Sequence, residues 1–401
     1  MGLLSTTYTA TDADGRIVSW RDGKRLAWLL SVVYPLVPLV GVALHAHTGE
    51  PIMLAVPLLI GYGLMPLLDA LIGEDRNNPP QAVVAQLEAD RYYRWLTWLS
   101  VPLYFVTLLV CAAWAGTQAL PWWALLILAY VAGVNAGMGL TTGHELGHKH
   151  NRLEQWLARL ILAVPAYGHF TVEHGRGHHR WVSTPEDHAS ARMGESIYRF
   201  ALRELPGGIR RAWQLESQRL AGLGVRSWSW RNTMLQSYAI TALLQLGLIA
   251  AFGPVMIVFL AIHNLVAWWQ LTSANYVEHY GLLRGRLPGG QYEAPQPHHS
   301  WNTNHLVTNL ALFHLQRHSD HHANPSRRYQ SLRHVDDVPQ LPSGYFGMFT
   351  IACFPRWWFR VMDERLLALP HVQGDLSKVN IDPAARASIE ARHFPQRLGL
   401  R

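Results

Sequence analysis

Residues Trp122–His148 read WWALLILAYVAGVNAGMGLTTGHELGH. The first part, Trp122 to Thr142, carries no Asp, Glu, Lys or Arg and is long enough to cross a hydrocarbon layer of about 30 Å. The tail, His144-Glu145-Leu146-Gly147-His148, places two imidazoles at i and i+4, on one face of a helix. A spanning helix that ends in paired metal-ligand side chains poses two questions. How many spans accompany it, and which other histidines meet these two?

Five further apolar runs answer the first: Ala27 to His45, Pro51 to Ile72, Trp95 to Trp114, Met234 to Phe252 and Val255 to Ser273. Each approaches the ~20 residues a span requires. Trp122, Trp123, Trp268 and Trp269 sit where an interfacial aromatic belt is expected. Of the 401 residues 49% are hydrophobic and only 15% charged, well under the roughly 25% typical of soluble chains. The expected fold is an all-α integral membrane protein with six transmembrane helices and a histidine-rich cap. Membrane lipid is its expected surroundings, and nucleic acid is not an expected partner. Three stretches divide the chain: a polar segment 1–25, a six-helix domain 26–280 with a histidine-bearing insertion at 143–231, and a cap 281–401. Segment 1–25 lacks the basic start and apolar centre of a cleavable signal. All 34 Lys and Arg lie before run 1, between runs 2 and 3, between runs 4 and 5, or after run 6. With six spans these regions share one side, which the positive-inside rule makes cytosolic. Both termini and every histidine cluster then face the cytosol. Leu153–Phe170 and Tyr345–Val361, interrupted by Arg159, Pro165 and Arg356, are expected as interfacial or re-entrant pieces.

The second question is answered by His174, His178 and His179, by His279, and by His318, His321 and His322. With His144 and His148 they make nine imidazoles at helical spacings beside the cytosolic ends of spans. That pattern predicts metal ligation at two ions. His150, His169, His188 and His314 lie near the clusters and are candidates for an outer shell, whereas His45, His47, His263 and His371 read as ordinary polar side chains. Glu145, Glu173, Asp187, Glu278 and Asp320 sit where they can take a ligand's second N–H and fix its tautomer. His144-Glu145-x-x-His148 also fits the zinc-protease pattern, but a zinc hydrolase needs three protein ligands and an open position, not nine. A metal transporter would place ligands inside the spans, which hold little beyond Asp69 and His263. Nine nitrogen donors suit borderline ions, with iron the natural choice for oxygen chemistry. The two cysteines, Cys111 and Cys353, allow no disulfide framework and no four-cysteine redox centre.

At these motifs the chain resembles a known family. His144-Glu-Leu-Gly-His-Lys149, Glu173-His-Gly-Arg-Gly-His-His179, Asn275-Tyr-Val-Glu-His-Tyr-Gly281 and Leu315-Gln-Arg-His-Ser-Asp-His-His322 are similar to the signatures of integral-membrane alkane 1-monooxygenases. These belong to the wider group of histidine-box membrane desaturases and hydroxylases. Gly73–Pro80 and Thr184–Asp187 extend the likeness. The resemblance implies a non-haem di-iron enzyme of the bacterial inner membrane, with two Fe ions held by the nine histidines. It implies conversion of an n-alkane and O₂ to a 1-alkanol, with electrons from rubredoxin and its reductase. No catalytic residue beyond the iron ligands is expected. A fatty-acyl desaturase or ω-hydroxylase is the nearest alternative, and an intramembrane zinc protease a remote one.

Two finer expectations concern surfaces. Asp69, the single charge of run 2, should face the interior. At about 100° per residue, Leu58, Tyr62 and Met65 share its side, and Gly61 lies some 80° away. These four are the candidate substrate channel, with close helix packing as the competing role for Gly61. Arg199, Arg203, Arg210 and Arg211 are candidates for docking an acidic rubredoxin, or for enforcing topology alone.

Overall fold

Six helices in the structure, a computed structural model describing residues 6–394, are long and apolar enough to cross a membrane. They are α1 (Ala27–Thr48), α2 (Pro51–Ile72), α3 (Arg91–Thr117), α4 (Trp122–Gly147), α8 (Thr233–Phe252) and α9 (Val255–His279). Residues 1–5 of the N-terminal segment and 395–401 of the cap lie outside the described residues. Between α4 and α8 run α5 (Arg152–Ala163), the helical run α6 over residues 170–181, and α7 (Ile197–Ala221). The cap adds α10 (Leu306–Ala311), α11 (His318–Ala323), α12 (Tyr345–Ala352) and α13 (Pro355–Leu367). The two interrupted apolar stretches thus resolve into short helices: α5 ends before Pro165, and Pro355 opens α13, as a residue without an N–H does readily.

Two of the spans outrun their apolar sequence. α4 continues beyond Thr142 to Gly147, and α9 beyond Ser273 to His279. The extensions carry His144 and His279 beyond the apolar runs while both remain buried. What fixes these two helices together is glycine. A Cβ on Gly133 would stand 2.7 Å from the His263 carbonyl oxygen, and one on Gly137 2.5 Å from the Gln270 Cβ. Small residues at such crossings let spanning helices approach closely where lipid offers no hydrophobic drive.

α2 is irregular. Pro51, Pro57 and Pro66 punctuate it, and Ile60–Leu64 forms a π-turn. That wider turn breaks the uniform 100° count, so Gly61 is not displaced to the flank. It is buried in line with Leu54, Pro57, Met65 and Asp69, while Leu58 and Tyr62 are half-buried. Asp69 does face inward: it accepts the Thr308 N–H at 3.0 Å and the Thr308 hydroxyl, joining α2 to α10.

The polar connections interlock on one face. An antiparallel hairpin, β1 (Thr6–Thr11) and β2 (Ile17–Asp22), was not expected from the polar N-terminal sequence. Its Tyr8 and the nearby Arg25 both bond Asp90 at the start of α3, at 2.7 and 2.6 Å. Arg317 donates to the carbonyls of Asp75 and Leu332, and Arg328 pairs with Glu154 of α5 at 2.9 Å. One hydrophobic cluster runs from Phe200 of α7 through Tyr276 of α9 to Trp301, Tyr345 and Trp358 of the cap. Trp95, Trp122, Trp228 and Trp230 are exposed near span ends, as interfacial anchors are.

Candidate metal centre

α4 supplies His144 and, from the residue that caps it, His148. The run α6 supplies His174, His178 and His179, α9 supplies His279, and α11 supplies the other three. The rings gather into two sets. His144, His148, His174, His179 and His321 bring ligand nitrogens within 4.8 Å of one another, and so do His178, His279, His318 and His322.

Nε2 of His179 lies 3.1 Å from Nε2 of both His174 and His321. Nε2 of His318 lies 3.1 Å from that of His279 and 3.0 Å from that of His322. A ring nitrogen either carries a proton or presents one in-plane lone pair, so neither His179 nor His318 can hydrogen-bond two such neighbours at once. Nitrogens about 2.1 Å from a shared cation at right angles stand about 3 Å apart, which is the spacing found. The remaining Nε2 atoms, on His144, His148 and His178, are buried without a hydrogen-bond partner. The donor set therefore fits metal, with room for one ion per set.

Neighbours in sequence part company here. His174 and His178 are spaced i, i+4, yet Glu173–His178 is a π-turn, whose i→i+5 bonding sets His174 and His179 on one face. His178 then turns toward the second set. His321 and His322, adjacent and so about 100° apart in a helix, likewise serve different sets. The turn leading into α11 passes through Phe313 and His314 at φ 51° and 53°, a region that costs a bulky residue roughly 1–3 kcal/mol. Burial compensates: Phe313 packs on Tyr329 at 4.8 Å, His314 on Trp28 at 4.6 Å, and His314 Nδ1 bonds the Tyr329 carbonyl at 2.9 Å.

Protonation suits ligation. Burial, with Lys149 and His178 close by, lowers His148 to about 3. Burial and the neighbouring imidazoles hold His174, His179, His318, His321 and His322 well below the ordinary range. Neutral rings keep the lone pair that a metal requires. His178 donates Nδ1–H to Asp187 at 2.9 Å, and His279 donates Nδ1–H to the His299 carbonyl at 3.1 Å; each bond leaves Nε2 free to ligate. Asp187 also accepts the Ser190 hydroxyl and Arg211, both at 2.7 Å. Burial alone would raise its pKa, but His178 and Arg211 outweigh that and hold the carboxyl well below the usual range.

Of the five acids expected behind the ligands, Asp187 takes a ring N–H directly. Glu145 pairs with Lys149 at 3.0 Å, Glu173 with Arg211, and Asp320 with Arg327 at 2.7 Å; these three are engaged by cationic side chains. Glu278 accepts the Tyr345 hydroxyl at 2.9 Å and puts Oε2 3.4 Å from His318 Nε2. It therefore lies on the ligating side of the ring and not behind it. The His299 carbonyl, Ser190 and Tyr345 had no signal in the sequence, and Arg211 was expected at a docking surface and not on Asp187, because a partner supplied by backbone or by a distant helix has no local spacing. His150 is exposed, His169 bonds Tyr238, His188 packs under Gly207, and His314 bonds Tyr329; none of the four joins a set.

The arginines proposed for docking are mostly engaged. Arg199 pairs with Asp382 at 2.6 Å, Arg203 with Glu195 at 2.8 Å, and Arg211 with Glu173 and Asp187. Only Arg210 of the four makes no ion pair among the described residues.

A narrow cavity touches His144, His174 and His318, and so reaches both sets. Met138, Leu140, Phe170, Leu271, Leu315 and Phe349 give it an apolar wall. Leu58, Gly61, Tyr62 and Met65 do not line it, although the Tyr62 hydroxyl bonds the wall residue Gln270 at 3.0 Å.

Six helices long and apolar enough to span a membrane, with nine imidazoles gathered in two sets beside their ends, define an integral-membrane protein with a candidate histidine metal centre. The fatty acid desaturase family model matches it over residues 120–352. The chain is 51% identical over 389 residues to alkane 1-monooxygenase 1 of Alcanivorax borkumensis, covering 97% of this chain and 95% of that one. It is 52% identical over 366 residues to alkane 1-monooxygenase of Pseudomonas putida, covering 91% and 90%, and 52% identical over 365 residues to that of Ectopseudomonas oleovorans, covering 91% and 90%. The chain belongs to the alkane 1-monooxygenase family, a family of oxidoreductases.

Proposed function

We propose that this protein hydroxylates the terminal methyl of n-alkanes, using two iron ions and electrons from rubredoxin, at the cytosolic face of the inner membrane. The overall change is RH + O₂ + 2e⁻ + 2H⁺ → ROH + H₂O. The observation that carries this reading is the convergence of nine Nε2 atoms on two points at the end of an apolar cavity. Bound there, iron would supply the O₂ activation that side chains lack. The five-histidine set and the four-histidine set are the proposed ligands, with Asp187 and the His299 carbonyl fixing the tautomers of His178 and His279. The protein's further part is to aim a hydrocarbon and keep water out. No Lys or Arg lines the cavity, which supports an uncharged substrate over a fatty acid held by its carboxylate.

The channel is proposed to continue from Gln270 along Tyr62, Gly61, Leu58 and Met65 of α2. Gly61 supports this because it is buried yet roomy: an added Cβ would meet only the Tyr34 hydroxyl, at 3.6 Å. A close-packing glycine such as Gly133 or Gly137 has no such space. A zinc-protease reading would need Glu145 as general base, and its ion pair with Lys149 argues against that.

Metal analysis with product analysis tests the proposal. Purified protein should hold two irons per chain and convert decane to 1-decanol with reduced rubredoxin. One zinc per chain, or turnover of a fatty acid in preference to decane, would overturn it.

A further inference from the structure

Outside the nine-histidine centre, a further set of ligand side chains gathers in the cap. Glu293, His298 and His299 bring ligand atoms within 4.8 Å of one another. His371, which reads from the sequence as an ordinary polar side chain, comes in from the segment after α13 and places its ring 4.5 Å from that of His298. Within the nine-histidine centre, His318 and His322 stand at the same 4.5 Å. Glu293, His298 and His371 are half-buried and line one open cleft, whereas His299 is buried behind it. His299 Nδ1 accepts the Gln296 N–H at 2.9 Å, so its proton sits on Nε2, which faces Glu293 Oε1 at 3.4 Å. Oε1 also accepts the Gly285 N–H at 2.7 Å. The carboxylate is thereby aimed from behind, and Oε2 stays free. The rings of His298 and His371 make no hydrogen bond among the described residues. Burial lowers both, His371 to about 4, so each keeps a lone pair at neutral pH. Three cations share the cleft. Arg284 spends its donors on the carbonyls of Glu293, Arg180 and Val182, and Arg286 on Glu186 and Tyr292. Lys378 stands exposed on the rim, where salt screens it.

We propose that Glu293, His298 and His371 form a third metal site, and that its ion is zinc. Two neutral imidazoles and one carboxylate are a common zinc donor set, and they leave a fourth position to water. Imidazoles disfavour the hard ions magnesium and calcium, and zinc imposes no geometry of its own on a cleft whose ligands come from two separate segments. An ion there would pin the loop that follows α9 to the segment that follows α13. These already meet at the Leu282–Val379 bridge and through the Asn380 N–H on the Gly281 carbonyl, at 2.9 Å. The loop runs on from His298 to the His299 carbonyl, which accepts His279 Nδ1–H, so the zinc site and the nine-histidine centre share one piece of backbone. The inference concerns ion binding alone and stands apart from the reaction the centre carries out.

The test uses the full chain without a histidine tag, in nanodiscs, its nine-histidine centre first loaded with iron. Equilibrium dialysis against buffered zinc, read by elemental analysis, should show one zinc per chain retained in addition to the iron, with the iron unchanged. His298→Ala/His371→Ala should weaken that zinc by more than about 100-fold, since even an outer partner accounts for about 10- to 100-fold, and should keep the iron of the parent. Zinc should raise the unfolding temperature of the parent and not that of the double variant. Should the double variant fold poorly, Glu293→Gln, which keeps the size and loses the anionic ligand, should weaken zinc in the same direction. No zinc beyond the iron, or equal zinc in the parent and the folded double variant, overturns the site. Zinc that enters only as iron leaves overturns it too, because the ion is then in the nine-histidine centre.

Discussion

Asp187→Asn isolates one contact in the metal centre. Three donors converge on the native carboxylate: His178 Nδ1–H and the Ser190 hydroxyl on Oδ2, and Arg211 on Oδ1. Asn keeps the shape but offers one acceptor and one NH₂ group. If its oxygen faces His178, the NH₂ meets the guanidinium of Arg211. If the NH₂ faces His178, Nδ1 must accept, the proton moves to Nε2, and the ligand lone pair is lost. Changing such an outer partner typically costs about 10- to 100-fold in metal affinity, or roughly 1.4–2.7 kcal/mol. Arg211 retains Glu173, so the full ~3–5 kcal/mol of an orphaned buried charge is not expected. Because His178 belongs to the four-histidine set, one site should weaken and the other should not. Titrating metal-free protein with cobalt(II) against a chelator would resolve the two affinities. Equal weakening of both sites, or of neither, would refute the assignment of Asp187 to the His178 tautomer.

Removing any of the nine rings, for example His318→Ala, should abolish turnover and lower iron content. His45→Ala, which loses a bond from Trp114 at 3.0 Å, should cost at most about 1.5 kcal/mol and leave iron intact; full iron in His318→Ala would remove α11 from the centre. Gly61→Trp should suppress hydroxylation of long alkanes more than short ones, read as relative rates from octane to hexadecane, and a uniform decline would instead mark Gly61 as a packing contact. Acidification should destabilise the metal-free protein. His148 and His299 are both lowered to about 3 by burial first, whereas unfolded histidine titrates near 6.5. Their contribution is therefore complete above about pH 6.5 and falls by up to about 1.4 kcal/mol per pH unit for each ring as pH drops toward 3. Thermal unfolding that stays level between about pH 7.5 and 5 would contradict this.

The six spans were legible because lipid imposes length and apolarity on each helix separately. α4 and α9 nevertheless ended later than their apolar runs, since beyond the hydrocarbon a helix needs only buried partners, which the cap supplies. The nine histidines stood out by number and spacing, but their division into two sets did not. An i, i+4 pair reads as one face only if the turn is α, and the π-turn at Glu173–His178 overrides that. The same device in α2 misplaced Gly61. Acids beside ligands were legible as neighbours in sequence, not as neighbours of a particular nitrogen, and Glu145, Glu173 and Asp320 pair with Lys149, Arg211 and Arg327. The arginines of α7 illustrate the limit of charge alone: sequence counts cations, whereas only packing tells which are already paired.

Splitting His178 from His179 and His321 from His322 has a mechanical consequence. Each of these dipeptides reaches both sets, so neither α6 nor α11 can move for one set without moving for the other. The cavity touches His144 and His174 of one set and His318 of the other, so a chain end entering it would lie against both. Asp187 extends the coupling outward, because Arg211 joins it to α7 and to Glu173 at the start of the π-turn. α4 and α9, locked by Gly133 and Gly137, supply the fixed frame from inside the bilayer. The spans thus do more than anchor the enzyme: the contacts that close α4 on α9 also set where His144 and His279 stand, and those two helices supply more than half of the residues that line the cavity.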